Sequence, residues 1–453
     1  MTLVQTRGAP PAAHRSGVPG RIRIISGITV ASLALLFAAL AVGSSSARDG
    51  LRIIGRDAGP QVVATAGLYL ALSDMDAQVA NAIVMGDAYP GQRRDALARY
   101  TQRRGEANTA LLKAFELSSD NQAERMTVQS VLDGLGQYER LAGQALLLDE
   151  RAAHAPGPPP AEVVRTYRAA TDLMRLVLLP QAYNLTLESG TIVRSTYDDK
   201  ALMVPLVRVA VVLAGLIALG CLIWLQVFLA RRFRRVFGPA LLVATIATAV
   251  ALVFGVNVLG QDEEALRTAK GAGFDSVLTL AKARAISNSM QGDQSRYLLD
   301  KERADTYEHT YLDKSLSIIY FEAGNLRTYH SEVGKGSKDF FGMLGPELVG
   351  KEGQDVFRAY RTFQATDQRF RGLVASGRTN DAVDERLKAV TTAFTAYDEA
   401  LMALAERHQS VFKRAIDTGE GALDRLWGLL PYAIGAIGLL VIAGVWPRLK
   451  EYR

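Results

Sequence analysis

The sequence predicts an all-α membrane protein with four transmembrane helices and two tandem extracytoplasmic four-helix bundles. Four long stretches carry no charged residue: 24–47, 209–230, 236–261 and 426–447. At about 1.5 Å per helical residue, each is long enough to cross a hydrocarbon core of roughly 30 Å. The polar regions between them carry apolar residues at helical spacing. The order of span, polar region and span occurs twice, which indicates a tandem duplication of one architecture.

Basic residues beside the spans set the orientation. They lie in the tail of residues 1–23, in the joint of residues 231–238 and in the end of residues 448–453. These three places share one side of a four-span chain, and the positive-inside rule puts that side in the cytoplasm. We therefore assign the spans to residues 24–47, 207–230, 239–261 and 426–447. The polar regions 48–206 and 262–425 are expected outside a cell membrane that the chain crosses several times, with both termini cytoplasmic.

The first span has an alternative interpretation as a cleaved signal peptide. Ser45, Ser46 and Ala47 form a small-residue cleavage site, but the apolar run is longer than in most signal peptides. We favour an uncleaved anchor, and either choice leaves the downstream topology unchanged.

Composition agrees with a membrane protein. Lys and Arg number 52 against 46 Asp and Glu, giving a net charge of +6. In a soluble protein this excess would suggest nucleic acid. Here much of it lies beside spans, where arginine meets anionic lipid head groups, so we expect membrane lipid and no nucleic acid as a partner. The single Cys221 lies within the second span, so no intramolecular disulfide is possible.

The first polar region divides into four helices. Apolar residues from Leu68 to Gly86 follow a heptad spacing. Tyr89, Pro90 and Gly91 predict a turn, and Ser119 followed by Gln122 has the spacing of a capping box that starts a third helix. Prolines within residues 156–160 end that helix, and a fourth begins near residue 161 and continues into span two. Pro180 should bend or interrupt the fourth helix. An up-down-up-down bundle returns the chain to the membrane, as the topology requires.

The second polar region repeats this pattern around a long insertion. Helices are expected near residues 262–300, 301–320, 354–376 and 380–427. The last carries the clearest heptad stripe, including Val383, Val390, Tyr397 and Leu404. The insertion, residues 321–353, is rich in glycine, and long connections of this kind are often functional. We interpret it as a partner-binding loop at the tip farthest from the membrane, with Asn325, Tyr329, Phe340 and Phe341 as candidate contacts. A flexible insertion with one hydrophobic anchor is the alternative.

Motifs for catalysis are nearly missing from the sequence. It contains no phosphate-binding glycine loop, no His-Glu-x-x-His and no paired cysteines. Ser410 to Lys413 spells Ser-x-x-Lys without the partner motifs that this chemistry needs. The spans contain few polar residues, which disfavours a transporter. We therefore expect no enzyme, no catalytic residue, no cofactor and no metal site.

Helices that continue from the bundles into the spans favour signalling, since a shift outside would be carried across the membrane. The cytoplasmic segments are too short to hold an output domain, so a separate protein must read the state. We expect it to contact Arg231, Arg232, Arg234 and Arg235 in the joint. Anchoring of the spans to anionic lipid is the alternative role of these arginines.

The repeated unit of span, four-helix bundle and span resembles the ligand-binding module of bacterial chemoreceptors, with a dimer fused into one chain. More narrowly, residues 70–77, the Leu178-Leu179-Pro180 run and the tail of residues 448–453 resemble the GlnX-type membrane proteins of actinobacteria. That resemblance implies a solute-binding lipoprotein outside and the soluble protein kinase G inside, and thus a sensor of amino-acid availability. It supplies no catalytic residues.

We therefore expect a non-enzymatic transmembrane sensor or co-receptor for glutamate, aspartate or glutamine-type amino acids that acts through partners. Two alternatives remain: a direct small-molecule sensor of chemoreceptor type, and a structural scaffold for an envelope complex. A compact polar pocket between helices would favour direct sensing. An exposed apolar patch at the insertion would favour a protein partner.

Overall fold

A computed structural model describes residues 18–118, 122–233, 238–336 and 340–450. Within these ranges the regular structure is helical, and the only β-pairing is an isolated antiparallel bridge between Tyr320 and Phe341. The predicted all-α class is confirmed. The chain forms two compact units: a membrane unit, made of the described residues of 1–50, 199–265 and 417–453, and a bundle unit, made of Leu51–Asp198 and Leu266–Ile416.

Four helices are long and apolar enough to cross a membrane, as predicted. They are α1 (Val18–Arg52), α6 (Leu179–Phe233), α7 (Pro239–Thr268) and α13 (Thr391–Lys450). Their apolar side chains divide between an inner core and an outer surface. Phe37, Leu222 and Ile437 are buried in one cluster, whereas Leu35 and Leu439 are exposed. An apolar outer surface is what a lipid environment requires of a helical bundle.

Glycines bring the spans of the membrane unit close together. A Cβ atom on Gly215 of α6 would lie 2.4 Å from Leu252 of α7, and one on Gly255 of α7 would lie 2.4 Å from Leu40 of α1. Small residues at such crossings let helices pack tightly where no hydrophobic effect drives them together. Gln226 adds a polar contact, since its Nε2 donates to the carbonyl oxygen of Leu241 at 2.8 Å.

The first half of the bundle unit contains the four predicted helices. Their segments are α2 (Gly59–Met85), α3 (Pro90–Leu117), α4 (Gln122–Ala152), α5 (Ala161–Leu173) and the start of α6. Pro90 occupies the start of α3, where a missing N–H costs nothing. The predicted cap residue Ser119 lies outside the described residues. A π-helical segment, Met174–Leu178, comes directly before Leu179 and Pro180, so the predicted interruption of the fourth helix is present.

The second half follows the same plan with the insertion added. Its segments are α8 (Ser276–Leu299), α9 (Ala304–Ile318), α10 (Leu326–Lys335), α11 (Gly350–Ala375), α12 (Thr379–Glu385) and the start of α13. The heptad stripe of the last helix is core, because Val383, Val390 and Tyr397 are fully buried. The insertion contains α10 and a short 3-10 turn, Gly345–Leu348.

The two polar regions share one core instead of forming two separate bundles. A single cluster of buried apolar residues takes members from both, including Leu72 and Tyr138 of the first half and Tyr311 and Phe363 of the second. Helices α2 and α8 run against each other at the centre, and residues 71–86 and 287–296 are buried on every face. A heptad stripe identifies one buried face of a helix, so it could not reveal that these two helices are enclosed on all sides.

The insertion lies at the end of the bundle unit where the chain enters and leaves. Glu347 lies 3.3 Å from His408 Nε2, and His408 Nδ1 lies 2.7 Å from the carbonyl oxygen of Ala272. Ala272 and His408 are only a few residues from the boundaries of the unit. The predicted position at the far tip is therefore wrong. In an up-down-up-down bundle, the connection between the second and third helices returns to the end where the first helix begins.

Candidate functional site

A network of buried charges joins the two halves of the bundle unit. Asp76 of α2 and Arg296 of α8 are both almost fully buried, and Nη2 of Arg296 donates to Oδ2 of Asp76. Nη1 of the same guanidinium donates to Oδ1 of Asp293 at 2.6 Å. Nζ of Lys314, on α9, donates to Oδ2 of Asp293 at 2.5 Å. Two carboxylates therefore face two cations in the interior, and their charges balance.

Neutral hydrogen-bond donors also contact the carboxylate of Asp76. Thr171 Oγ1 donates to Oδ2 at 2.7 Å, while the hydroxyls of Tyr138 and Tyr167 donate to Oδ1 at 3.2 and 3.4 Å. Asp76 thus receives hydrogen bonds from α4 and α5 of its own half and from α8 of the other. Removing one partner of such a buried pair leaves the other charge uncompensated.

The same network shifts the pKa values of its members. Burial alone would raise the pKa of Asp293, but the charges of Lys314 and Arg296 outweigh it and hold that pKa below its ordinary value. Burial lowers the pKa of Lys314 to about 8, against the opposing charge of Asp293. The ion pair between Lys314 and Asp293 therefore forms against the cost of burying the ammonium group.

Arg386 forms a second link between the halves, without a carboxylate in contact. Its Nη2 donates to Oδ1 of Asn81 at 3.1 Å and to the carbonyl oxygen of Gln291 at 2.8 Å. Its Nη1 donates to Thr391 Oγ1 at 3.1 Å, and its Nε has no hydrogen-bond partner among the described residues. Burial lowers the pKa of Arg386 to about 10, despite the charge of Asp367.

Arg386 is also the first residue of a π-helical segment, and each of the four long helix paths contains one such segment. They are Ile53–Ala58, Met174–Leu178, Ala269–Asp275 and Arg386–Val390. Each half has one in its first helix and one in its last. Segments of this kind are rare and often occur at functional positions, because they change helix register without breaking the helix.

The two π-helical segments of the first helices meet α13 at one place, which we call the junction and define as Gly55, Gly59, Gly273, Phe412 and Ile416. A Cβ on Gly55 would lie 2.9 Å from Ile416, and one on Gly59 would lie 3.4 Å from the Phe412 ring. A Cβ on Gly273 would lie only 2.8 Å from Cα of Phe412. The last helix of the unit is therefore in close contact with the first helix of each half.

His408, one turn before the junction along α13, holds the insertion against it. Both ring nitrogens face oxygen acceptors, the carbonyl of Ala272 and the carboxylate of Glu347. Both contacts are hydrogen bonds only when the ring carries two N–H groups, as in the imidazolium form.

The candidate residues of the insertion have different surroundings. Asn325 caps α10, since its Oδ1 accepts from the backbone N–H of Thr328 at 2.9 Å. Tyr329 is buried, and its hydroxyl contacts the hydroxyl of Tyr360 at 2.8 Å. Phe340 packs edge-on against Phe357 with 4.6 Å between ring centroids. These three stabilise the local fold, whereas Phe341 is 65 % exposed.

The candidate cytoplasmic contacts are only partly described. Arg231 is exposed near the end of α6. Arg232 lies in the same helix, but its side chain is outside the described part of the structure, and Arg234 and Arg235 lie outside the described residues altogether. The described part of the chain contains no group of three or more His, Cys, Asp or Glu side chains placed to hold a metal ion.

Sequence reasoning missed the buried network and the junction. A signal for the network existed in α2, where Asp74, Gln78 and Asn81 share one face and Asp76 lies on another face of a helix that also carries a heptad stripe. Polar residues at such spacing beside an apolar seam indicate a helix enclosed by several neighbours. The π-helical segments had no recognisable sequence pattern.

Comparison with known proteins identifies one domain. Residues 50–198 match the family model described as the actinobacterial sensor domain. The match covers about a third of the chain and almost all of the first half of the bundle unit. No curated protein and no solved structure matches the chain. The sensor domain and the four membrane-spanning candidates fit a multi-pass membrane protein with a sensor role.

Proposed function

We propose that the protein is a non-enzymatic transmembrane sensor or co-receptor. In this proposal it relays the availability of glutamate, aspartate or glutamine-type amino acids from a solute-binding lipoprotein to a cytoplasmic protein kinase. One observation carries the proposal: helix paths from a single bundle unit continue into four apolar segments. The sensor-domain match supports the general role. The resemblance to GlnX-type proteins supports the amino acids, the lipoprotein and the kinase.

The surface around Phe341 is the proposed docking place for the lipoprotein. Phe341 is paired with Tyr320 by a backbone bridge, and Tyr320 is 50 % exposed. Val349, near the end of the insertion, is exposed as well. Aromatic side chains are enriched at protein interfaces because they bury large areas at a low entropic cost. The insertion lies at the end of the unit where the chain leaves for the spans, which suits a partner tethered to the membrane by lipid.

The junction is the proposed transmission element. Docking near the insertion acts on Glu347, which contacts His408 of α13. Because Phe412 packs against Gly273 of the second half and Gly59 of the first, a displacement of α13 changes its contacts with the first helix of each half. Shifts of about 1–2 Å between packed helices are typical of such switches.

The output surface in this proposal is the basic joint. Arginine offers a planar fork of donors that pairs with carboxylates in two parallel hydrogen bonds. Arg231, Arg232, Arg234 and Arg235 would thus contact an acidic surface on the cytoplasmic kinase. The same residues also attract anionic lipid, and lysine substitution separates the two roles because it preserves charge but not the fork.

A site-specific photocrosslinker tests the input step. Placed at Phe341, it should form an adduct with a lipid-anchored solute-binding protein in intact cells, and mass spectrometry identifies that protein. The same crosslinker at Arg99, an exposed residue of α3, is the matched control and should not form the adduct. The absence of any lipoprotein adduct at Phe341 would remove this docking surface from the proposal.

A point substitution at Phe341 tests whether this surface is needed for the response. Phe341→Ser should abolish the response to external amino acids, whereas Phe341→Leu, which keeps an apolar side chain, should preserve most of it. Both variants should retain normal membrane levels, since Phe341 is mostly exposed. Deleting the whole insertion is less informative, because it would remove the buried Tyr329 and Leu348 from the core.

A second candidate function, direct sensing of a small molecule, is favoured by a polar cleft between α6 and α8.

A further inference from the structure

The bundle unit contains an open cleft of about 430 Å³ between α6 and the start of α8. This volume lies within the range of small-molecule sites. Its lining includes the polar residues Asn184, Glu188, Thr191, Arg194, Asp275 and Lys282, and apolar side chains supply the rest of its surface. The cleft is separate from the Phe341 surface and from the buried network.

Two of the cations in this cleft form no ion pair with the part of the chain that the structure describes. Asp275 is neutralised by Lys270, whose Nζ lies 2.9 Å from its carboxylate. Lys282 and Arg194 form no ion pair with any described residue, and Nζ of Lys282 lies 5.3 Å above the ring of Tyr183. Burial lowers the pKa of Lys282, and the nearby charge of Arg194 lowers it further. Two cations thus face the same space without a bound carboxylate, an arrangement that an anion would stabilise.

We propose that this cleft binds a small organic carboxylate between Lys282 and Arg194. The two cations would bind one carboxylate group, and Asn184 and Thr191 offer polar contacts to the rest of a small ligand. Arg194 belongs to α6 and Lys282 to α8, so the ligand would link a helix of the first half to a helix of the second.

Binding there also reaches a π-helical segment. Phe274 and Asp275 line the cleft and are the last two residues of the segment Ala269–Asp275. The same segment contains Gly273, which contacts α13 at Phe412. A bound carboxylate would therefore act on the junction through this segment. This input goes beyond the proposed docking of a lipoprotein and does not require it.

Titration calorimetry on the full chain in nanodiscs of zwitterionic lipid tests the proposal. Succinate, L-glutamate and inorganic phosphate are titrated separately. Saturable binding of succinate or L-glutamate supports the proposal, and a preference for L-glutamate assigns the amino-acid class. Binding of phosphate alone, or no saturable heat from either carboxylate up to about 10 mM, would overturn it.

Substitutions locate the site. Lys282→Gln should weaken carboxylate binding at least tenfold, because a charged hydrogen-bond donor is lost from the cleft. Lys282→Arg should retain most of the affinity. Lys301→Gln, an exposed lysine elsewhere in the same unit, should change nothing. Unchanged affinity in Lys282→Gln, with a circular dichroism melt equal to that of the wild type, would place the ligand elsewhere and refute the assignment. Failure here leaves the crosslinking test at Phe341 unaffected, so the two proposals fail independently.

Discussion

Substituting Arg296 by methionine should destabilise the bundle unit more than any single surface change. The guanidinium is 1 % exposed and contacts two carboxylates, those of Asp76 and Asp293. Methionine fills much of the same volume but leaves two acids with the single cation of Lys314. Breaking a buried ion pair in this way costs about 3–5 kcal/mol. For a domain of this size, roughly 2 °C per kcal/mol predicts a fall in melting temperature of about 6–10 °C.

A double-mutant cycle separates the charge effect from lost packing. Asp76→Asn alone leaves an excess positive charge, whereas Asp76→Asn combined with Arg296→Met restores balance, with one acid and one base. The double variant should therefore be less destabilised than the sum of the single variants by at least about 2 kcal/mol. Additivity within about 0.5 kcal/mol would refute the claim that the network holds the halves together through charge.

The assay must report on the bundle unit alone. All three tryptophans, Trp224, Trp427 and Trp446, lie in the membrane unit, so tryptophan fluorescence does not follow the unfolding of the bundle. Hydrogen exchange of peptides from α2 and α8, measured by mass spectrometry against denaturant, gives the required local free energy. Circular dichroism at 222 nm provides the global comparison.

Three further predictions test other parts of the structure. Gly273→Ala should destabilise the bundle unit by about 1–3 kcal/mol, because its Cβ would lie 2.8 Å from Cα of Phe412. Gly271→Ala, in the same π-helical segment, has open space around its Cβ and should be tolerated. Thermal unfolding compares the two variants. The pKa of Asp367 is lowered from 3.8 to about 2, since the charge of Arg371 outweighs the effect of burial. Its contribution to the free energy of unfolding, roughly 2 kcal/mol, is therefore present above pH 4 and lost as pH falls toward 2. Asp367→Asn should make the stability of the bundle unit less dependent on pH in that range, which unfolding measured as a function of pH would show. Changing the four arginines of the joint to lysine should preserve integration into the membrane and weaken kinase output. A normal response in that variant would assign these residues to lipid anchoring alone. The substitutions are Arg231→Lys, Arg232→Lys, Arg234→Lys and Arg235→Lys.

Helix positions were predictable because their signals are local. A charge-free run of about 20 residues, a proline at a helix start and a heptad stripe each depend on neighbours within a few turns. The four long apolar helices and the breaks at Pro90 and at the prolines of residues 156–160 therefore agree with the structure. Pro180 was also informative, since the π-helical segment ends immediately before Leu179.

The tertiary arrangement was not predictable from those signals. Asp76 pairs with Arg296, which is 220 residues away, and no local pattern specifies that partner. The burial of Arg386 against Asn81 likewise depends on the packing of one half against the other. Of the four candidate residues in the insertion, composition could not distinguish the exposed Phe341 from the buried Tyr329. Tyr329 lies on α10 and contacts Tyr360, whereas Phe341 lies beyond the end of that helix.

Topology should be established first, with cysteines in a Cys221→Ala background. Ser130→Cys and Ser376→Cys, both at exposed positions of the bundle unit, should react with membrane-impermeant reagents in intact cells.

The most direct test of a transmembrane sensor follows a position that the positive-inside rule assigns to the cytoplasm, while the external signal changes. Arg231→Cys, in the same Cys221→Ala background, is labelled with an impermeant thiol reagent in inside-out vesicles from native membranes, which retain lipid-anchored partners. Amino acids are trapped in the lumen of one preparation and omitted from its matched control. We predict labelling in inside-out vesicles but not in intact cells, at a rate that changes when luminal glutamate, aspartate or glutamine is present. Labelling in intact cells, or an identical rate with and without luminal amino acids, would contradict the proposed relay.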